Sequence, residues 1–275
     1  MSAPTTLRRP TTPEPTAMTA PTASTPATDG PSVARLVWTE LKLVLREPVV
    51  LTFVFAFPVI TVLVLGGVFG DNDPAFEGAK PSDYYAAGYI GVVIAAIGLI
   101  MLPVHLAGYR ERGVLRRFQV SSFRGWALPF AHLVVGVVMT AVGVVALLIA
   151  AWLSYGLPSV DDLPRTVIGA VLGTIAFAAV GVALGSLAPN ARSAQGLGML
   201  LFFPSFLLGG GGPPPEAMGD VMQDISNWIP LTHVIRSIQE PWLGIGSPTN
   251  HFVVVAVILV VATGLSLTLA ARAER

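Results

Sequence analysis

Six mostly apolar runs with almost no charge set the terms for this chain: about residues 49–70, 84–108, 126–153, 165–187, 194–208 and 252–271. An α-helix rises about 1.5 Å per residue, so about 20 such residues cross the roughly 30 Å hydrocarbon core of a bilayer. The run at 194–208 is short for a span. The rest of the composition agrees with a membrane chain. Hydrophobic residues make up 53% and charged residues only 12%, against roughly 25% charged in an ordinary soluble domain. The pattern predicts an all-α integral membrane protein with six transmembrane helices.

The connectors test that reading. If both ends of the chain lie on one side, that side holds 13 of the 16 Arg and Lys residues and 6 of the 16 acids. The other side keeps Lys80, Arg165 and Arg236 with ten acids, so the balance is +7 against −7. Arg and Lys in short connectors are retained in the cytoplasm, which places the N- and C-termini there.

Residues 1–31 contain seven prolines and nine threonines and little that is large and apolar. They are read as a disordered cytoplasmic tail, with a transmembrane domain over 32–275. The tail has no apolar core of signal-peptide length, so the first membrane segment is expected to act as the targeting element. From Val33 to Glu47 a stripe of Val33, Leu36, Val37, Leu41, Val44 and Leu45 opposes Arg35, Thr39, Lys42 and Arg46. That is the pattern of an interfacial elbow helix, ended by Pro48.

Charge is densest between His105 and Arg124. Arg110, Arg112, Arg116, Arg117 and Arg124 stand against Glu111 alone, while Val114, Leu115 and Phe118 fall at helical spacing. A short cytoplasmic helix with a small apolar patch fits this stretch, and so does a basic topology anchor touching lipid head groups. In the fourth span Gly169, Gly173, Gly181 and Gly185 recur in steps of four or eight. Small residues at this spacing let helices approach closely, here read as packing within the subunit.

After Leu208 the sequence GGGGPPP stops any helix, and two amphipathic patterns follow before the last span. One puts Ala217, Met218, Val221, Met222, Ile225, Trp228 and Ile229 opposite Glu216, Asp220, Gln223 and Asp224. The other gathers Leu231, Val234, Ile235 and Ile238. Both are too short to span. They suit an external re-entrant helical hairpin between spans five and six, with its apolar faces turned to other spans, or a cap flat on the lipid.

Several chemistries are excluded or disfavoured. No P-loop exists, because the two lysines, Lys42 and Lys80, follow Leu41 and Ala79. No cysteine is present, and His105, His132, His233 and His251 show no ligand spacing, so no metal site is expected. Ionisable groups are missing from the middle of the spans, which disfavours an ion-coupled carrier. No catalytic set is found, and the even overall charge gives no sign of a nucleic-acid partner.

In order, these features resemble the membrane subunits of ABC-2 type transporters, especially bacterial drug-resistance exporter permeases. The resemblance rests on Glu40, Lys42, Arg46 and Pro48 in the elbow, and on Glu111 to Leu115 in the loop after span two. It rests most on the late block, with Pro213 to Pro215, Met218, Ile225, Ser226, Pro230 and Arg236. The loop departs from related ones at Val114 and Arg116. The resemblance implies a bacterial plasma-membrane subunit without a cofactor of its own, paired with a second permease in a homodimer. Each permease would bind a separate P-loop ATP-binding subunit, two copies in all, which carries ATP and Mg. Contact with that subunit would fall on Glu111, Arg112, Gly113, Leu115, Arg116, Arg117 and Phe118, with the elbow residues Glu40, Lys42 and Arg46 nearby. Pro214, Met218, Ile225, Pro230 and Arg236 would belong to the external gate, and the cargo would be hydrophobic or amphipathic. An ATP-independent carrier or channel, and a structural or signalling subunit, are the other classes that the residues allow.

Overall fold

The computed structural model describes residues 33–69, 76, 78–113, 127–214 and 217–273, and every long element among them is helical. Helix α1 (Val33–Val44) leads into α2 (48–68), and α3 (Pro81–Glu111) follows. Then come α4 (Ala127–Tyr155), α5 (Leu163–Leu187) and α6 (Ala191–Leu208). Two short helices, α7 (Asp220–Ser226) and α8 (Pro230–Leu243), precede α9 (Thr249–Ala273). Four stretches are long and apolar enough to cross a membrane: Pro81–Glu111, Phe130–Tyr155, Leu163–Leu187 and Thr249–Leu269. The expected first span lies in α2, whose apolar stretch Thr52–Val68 is shorter than these four, and the expected fifth lies in the 18-residue α6.

Helix α3 is the axis of the bundle. Its most apolar window is 94% buried, whereas that of α9 is 11% buried. Helices α2, α4, α5, α6 and α8 all pack against α3. The outer faces of α4, α5 and α9 present Val145, Ile168, Val257 and Val261 to the surroundings. Such faces would be a liability in water and are well solvated by lipid tails.

Because lipid tails are as apolar as leucine, burial alone does not hold such helices together, and close packing must. Prolines and glycines provide it. Pro58, Pro103 and Pro241 sit inside α2, α3 and α8 and carry no N–H, so the carbonyls of Val54, Leu99 and Ser237 lose their helical partners. Each of these carbonyls faces a glycine of another helix. A Cβ at Gly143 of α4 would lie 3.5 Å from the Val54 oxygen. At Gly198 of α6 and Gly169 of α5 it would overlap the oxygens of Leu99 and Ser237. Only glycine, with a Cα–H in place of a side chain, fits at Gly198 and Gly169.

Two π-helical turns, Thr52–Ala56 and Ala96–Met101, lie just ahead of Pro58 and Pro103. In each the backbone pairs five residues back, Phe57 to Thr52 and Leu102 to Ile97. Around the second turn Gly98 meets Phe177 of α5, its Cβ position 2.6 Å from the Phe177 carbonyl, and Gly181 lies on the Gly98 carbonyl. A Cβ at Gly173 would lie 2.7 Å from Val234 of α8, and one at Gly185 2.9 Å from Leu106. All four glycines of the α5 ladder are therefore used within the subunit.

The ends of the helices follow local rules. Asp162 and Asn190 accept from the Arg165 and Ser193 amides, at 3.0 and 2.8 Å, and so cap α5 and α6. Gly244, at φ +69°, ends α8. Gly198→Leu should cost about 2 kcal/mol or more, because its side chain must enter the Leu99 carbonyl. Gly196→Leu, on the same helix with nothing within 4 Å, should be neutral or mildly stabilising. Thermal unfolding of both variants in one detergent checks the pair.

Candidate functional site

Functional candidates collect at the two ends of α3. At the first end α1 packs along α4 and presents Trp38, Lys42 and Arg46 outward, with the Lys42 ammonium 5.1 Å from the Trp38 ring. Leu45, expected on the buried stripe, is exposed. Glu40 takes the inward place beside Val44 and is 3% exposed. The Tyr109 hydroxyl donates to Glu40 Oε1 at 2.6 Å. Arg112 lies 5.6 Å over the Tyr109 ring and His132 meets that ring edge-on at 5.6 Å.

The residues that follow Tyr109 tie the tip of α3 to its neighbours. Arg110 donates to the Ser186 carbonyl at the end of α5, where helix carbonyls concentrate negative potential. Glu111 Oε2 accepts from the Ala191 amide at 3.2 Å, at the positive start of α6. Arg112 Nε donates to the Gly108 carbonyl at 3.1 Å. Gly113, at φ +66°, takes the left-handed conformation that ends this tip. A cavity of about 380 Å³ opens beside this corner, lined in part by Glu47, His105, Glu111, Arg112, Arg192 and Gln195. Leu115, Arg116, Arg117 and Phe118 lie outside the described residues.

At the opposite end α8 is seated deeply. Gln239 Nε2 donates to the Tyr84 carbonyl at 2.9 Å, and Gly88 and Gly91 make room for Gln239 and Ile235. The Tyr89 hydroxyl donates to the Gly211 carbonyl at 2.7 Å and pins the glycine turn after α6 to α3. Pro214 is buried, Met218 half-buried, and the exposed Pro230 opens α8. Arg236 pairs with Glu240 at 4.0 Å.

Helix α7 departs from expectation. Its apolar side is outward, with Val221 68%, Ile225 42% and Trp228 88% exposed. The space among α3, α5 and α9 is filled by α8, so the seven-residue α7 is left at the rim. Asp220 and Asp224 are exposed as expected.

Histidines that looked isolated in sequence also meet here. His233 Nε2 lies 2.9 Å from the Asn227 carbonyl, and His233 Nδ1 lies 2.9 Å from His251 Nδ1. His251 Nε2 lies 3.1 Å from Glu240 Oε1. Burial holds the His233 imidazole below its ordinary pKa; the Asn227 carbonyl opposes this, while His251 and Arg236 reinforce it. Among the described residues no group of three or more His, Asp or Glu forms a metal site.

The sequence model of the ABC-2 type transporter family matches residues 31–243, which include both ends of α3, the elbow helix and α8. The chain belongs to the ABC-2 type transporter family. An inner membrane transport permease of Escherichia coli (strain K12), YhhJ, is 26% identical over 159 residues, covering 56% of this chain and 42% of that protein. The Shigella flexneri permease of the same name matches to the same extent. The chain thus spans 42% of the length of these curated relatives.

For this ABC-2 membrane protein, the sequence singled out Glu40, Glu111 and Arg112 but not the residues they contact. Tyr109 and His132 carried no signal beyond being polar residues near the ends of apolar runs. His233, Glu240 and His251 carried only their nearness in sequence to a glycine-rich turn. Tyr109→Phe should cost about 2 kcal/mol, because a buried carboxylate loses its donor. Adding Glu40→Leu should recover part of that loss. Unfolding midpoints of the two variants and the parent check the order.

Proposed function

We propose that this chain is the membrane subunit of an ATP-driven exporter that works with a separate P-loop ATP-binding subunit. The observation that carries the reading is the α3 corner. Arg110, Glu111 and Arg112 sit at the tip of the most buried helix and bind α5, α6 and, through Tyr109, α1. A force applied just beyond Gly113 therefore reaches several helices at once. The same α3 carries α8 at its far end, through Gln239 and Ile235.

In this reading the corner and the adjoining Leu115, Arg116, Arg117 and Phe118 meet the ATP-binding subunit in the cytoplasm, where both termini lie. Leu115 and Phe118 form the buried contact, with the charged residues around them. Two permeases, identical in the simplest case, pair with two ATP-binding subunits that hold ATP and Mg. Closure of the ATP-binding pair tilts α3, and α8 with the turns around it opens the external end of the path. The apolar character of the helices suits a hydrophobic or amphipathic cargo such as a drug, an antibiotic or a lipid-like molecule.

The test uses the full chain coexpressed with the ATP-binding subunit. Leu115→Asp combined with Phe118→Asp should leave the protein in the membrane and abolish copurification and substrate-stimulated ATP hydrolysis, because unpaired charge buried at a contact is costly. Survival of both activities in the double variant would reduce the loop to a topology anchor.

A further inference from the structure

We propose that the hairpin end holds a proton-binding latch in which His233, His251 and Glu240 share one added proton, fastening α8 to the first turn of α9. The argument is a count of hydrogens. Three contacts need one hydrogen each: His233 Nε2 with the Asn227 carbonyl, His233 Nδ1 with His251 Nδ1, and His251 Nε2 with Glu240 Oε1, at 2.9, 2.9 and 3.1 Å. A carbonyl only accepts, so His233 carries hydrogen on Nε2. Two neutral imidazoles supply two hydrogens, and an ionised carboxylate supplies none. The third must be an extra proton, so the three side chains together are neutral rather than singly negative. It resides between His251 and Glu240, or on His233 with the His–His hydrogen bond reversed.

The surroundings favour that count. Glu240 Oε2 is buried with no hydrogen-bond partner, and Gly246, at φ +63°, folds the α8–α9 turn over the carboxyl group. A bare negative charge there would have Arg236 at 4.0 Å as its charge partner and no hydrogen bond at Oε2. The other charged groups near α8 are Arg236, which faces the carboxyl group, and carboxylates that lie elsewhere. Arg236 reaches Glu240 Oε1 at 4.0 Å, and Asp161 lies against Gly244. Asp162 pairs with Arg165, Asp83 accepts from Ser159, and Asp220 and Asp224 are exposed.

Both directions of pH change should break the latch. Losing the extra proton sets the His251 Nε2 lone pair against a carboxylate. Gaining a second one places N–H against N–H across 2.9 Å between the imidazoles. On the acid side the sign agrees with His233: its pKa is lowered in the folded protein, so the folded state binds fewer protons there and stability falls as pH drops.

The role of the latch rests on the reading of this end as a gate, but its existence is tested without transport. The experiment is hydrogen exchange of the full chain in nanodiscs from about pH 5 to about pH 9, corrected for intrinsic exchange and read at α8 and the start of α9. The parent should be most protected at intermediate pH, with exchange roughly tenfold faster at both extremes. In Glu240→Gln the amide donates to His251 Nε2 in place of the extra proton, so loosening at high pH should disappear while loosening at low pH remains. His251→Gln should be loose throughout. Flat protection in the parent, or high-pH loosening that persists in Glu240→Gln, would overturn the latch. A latch that behaves as described while transport in Glu240→Gln keeps the parent's pH profile would instead count against the gate.

Discussion

The structure depends on backbone meeting backbone at glycines along α3 and its neighbours. A proline frees a carbonyl in one helix, and a glycine in the next lets that carbonyl come close. The contacts of Leu99 with Gly198 and Ser237 with Gly169 are both of this kind. They supply the close packing and weak polar contact that must replace the hydrophobic driving force inside a bilayer. They also explain why Ala96–Met101 is wound as a π-turn at the place where Gly98, Gly181 and Gly198 converge.

From that fixed middle the two ends of α3 acquire different characters. The Glu111 end is polar and tied by charge-assisted contacts to the terminus of α5 and the start of α6. The Tyr84 end is covered by α8, which is held by one amide hydrogen bond, small-residue seats and the histidine network. A rigid attachment at one end and a titratable one at the other suit a device that receives a push and releases a closure.

Periodicity was legible wherever it was local. The apolar runs, the elbow pattern and the α5 glycines all appear in the sequence as spacing, and the structure uses the glycines as read. What failed was the choice among environments that look alike in one dimension. An apolar face satisfies lipid and protein equally, so nothing in Val221, Ile225 and Trp228 distinguished a rim from a packed interface. Glu40 was named by resemblance to the elbow of related permeases, and it turns inward because Tyr109, 69 residues later, supplies its hydrogen bond. The histidines needed the fold of the α8–α9 turn before His233 and His251 became neighbours. Pro58 and Pro103 follow π-turns whereas Pro204 and Pro241 do not, so proline alone did not mark them.

The central claim is that ATP binding by the proposed partner subunit, docked at the Glu111 end, is felt at α8. The chain has no cysteine, so Val234→Cys provides a single reporter on α8, buried against Gly173. Its reaction with a membrane-impermeant thiol reagent is measured in the complex with the ATP-binding subunit, with and without ATP under conditions that arrest hydrolysis. Labelling from outside about tenfold faster with ATP is the result predicted if opening exposes a buried side chain. Labelling at the same rate in both conditions, in a complex shown to bind ATP, would contradict the account.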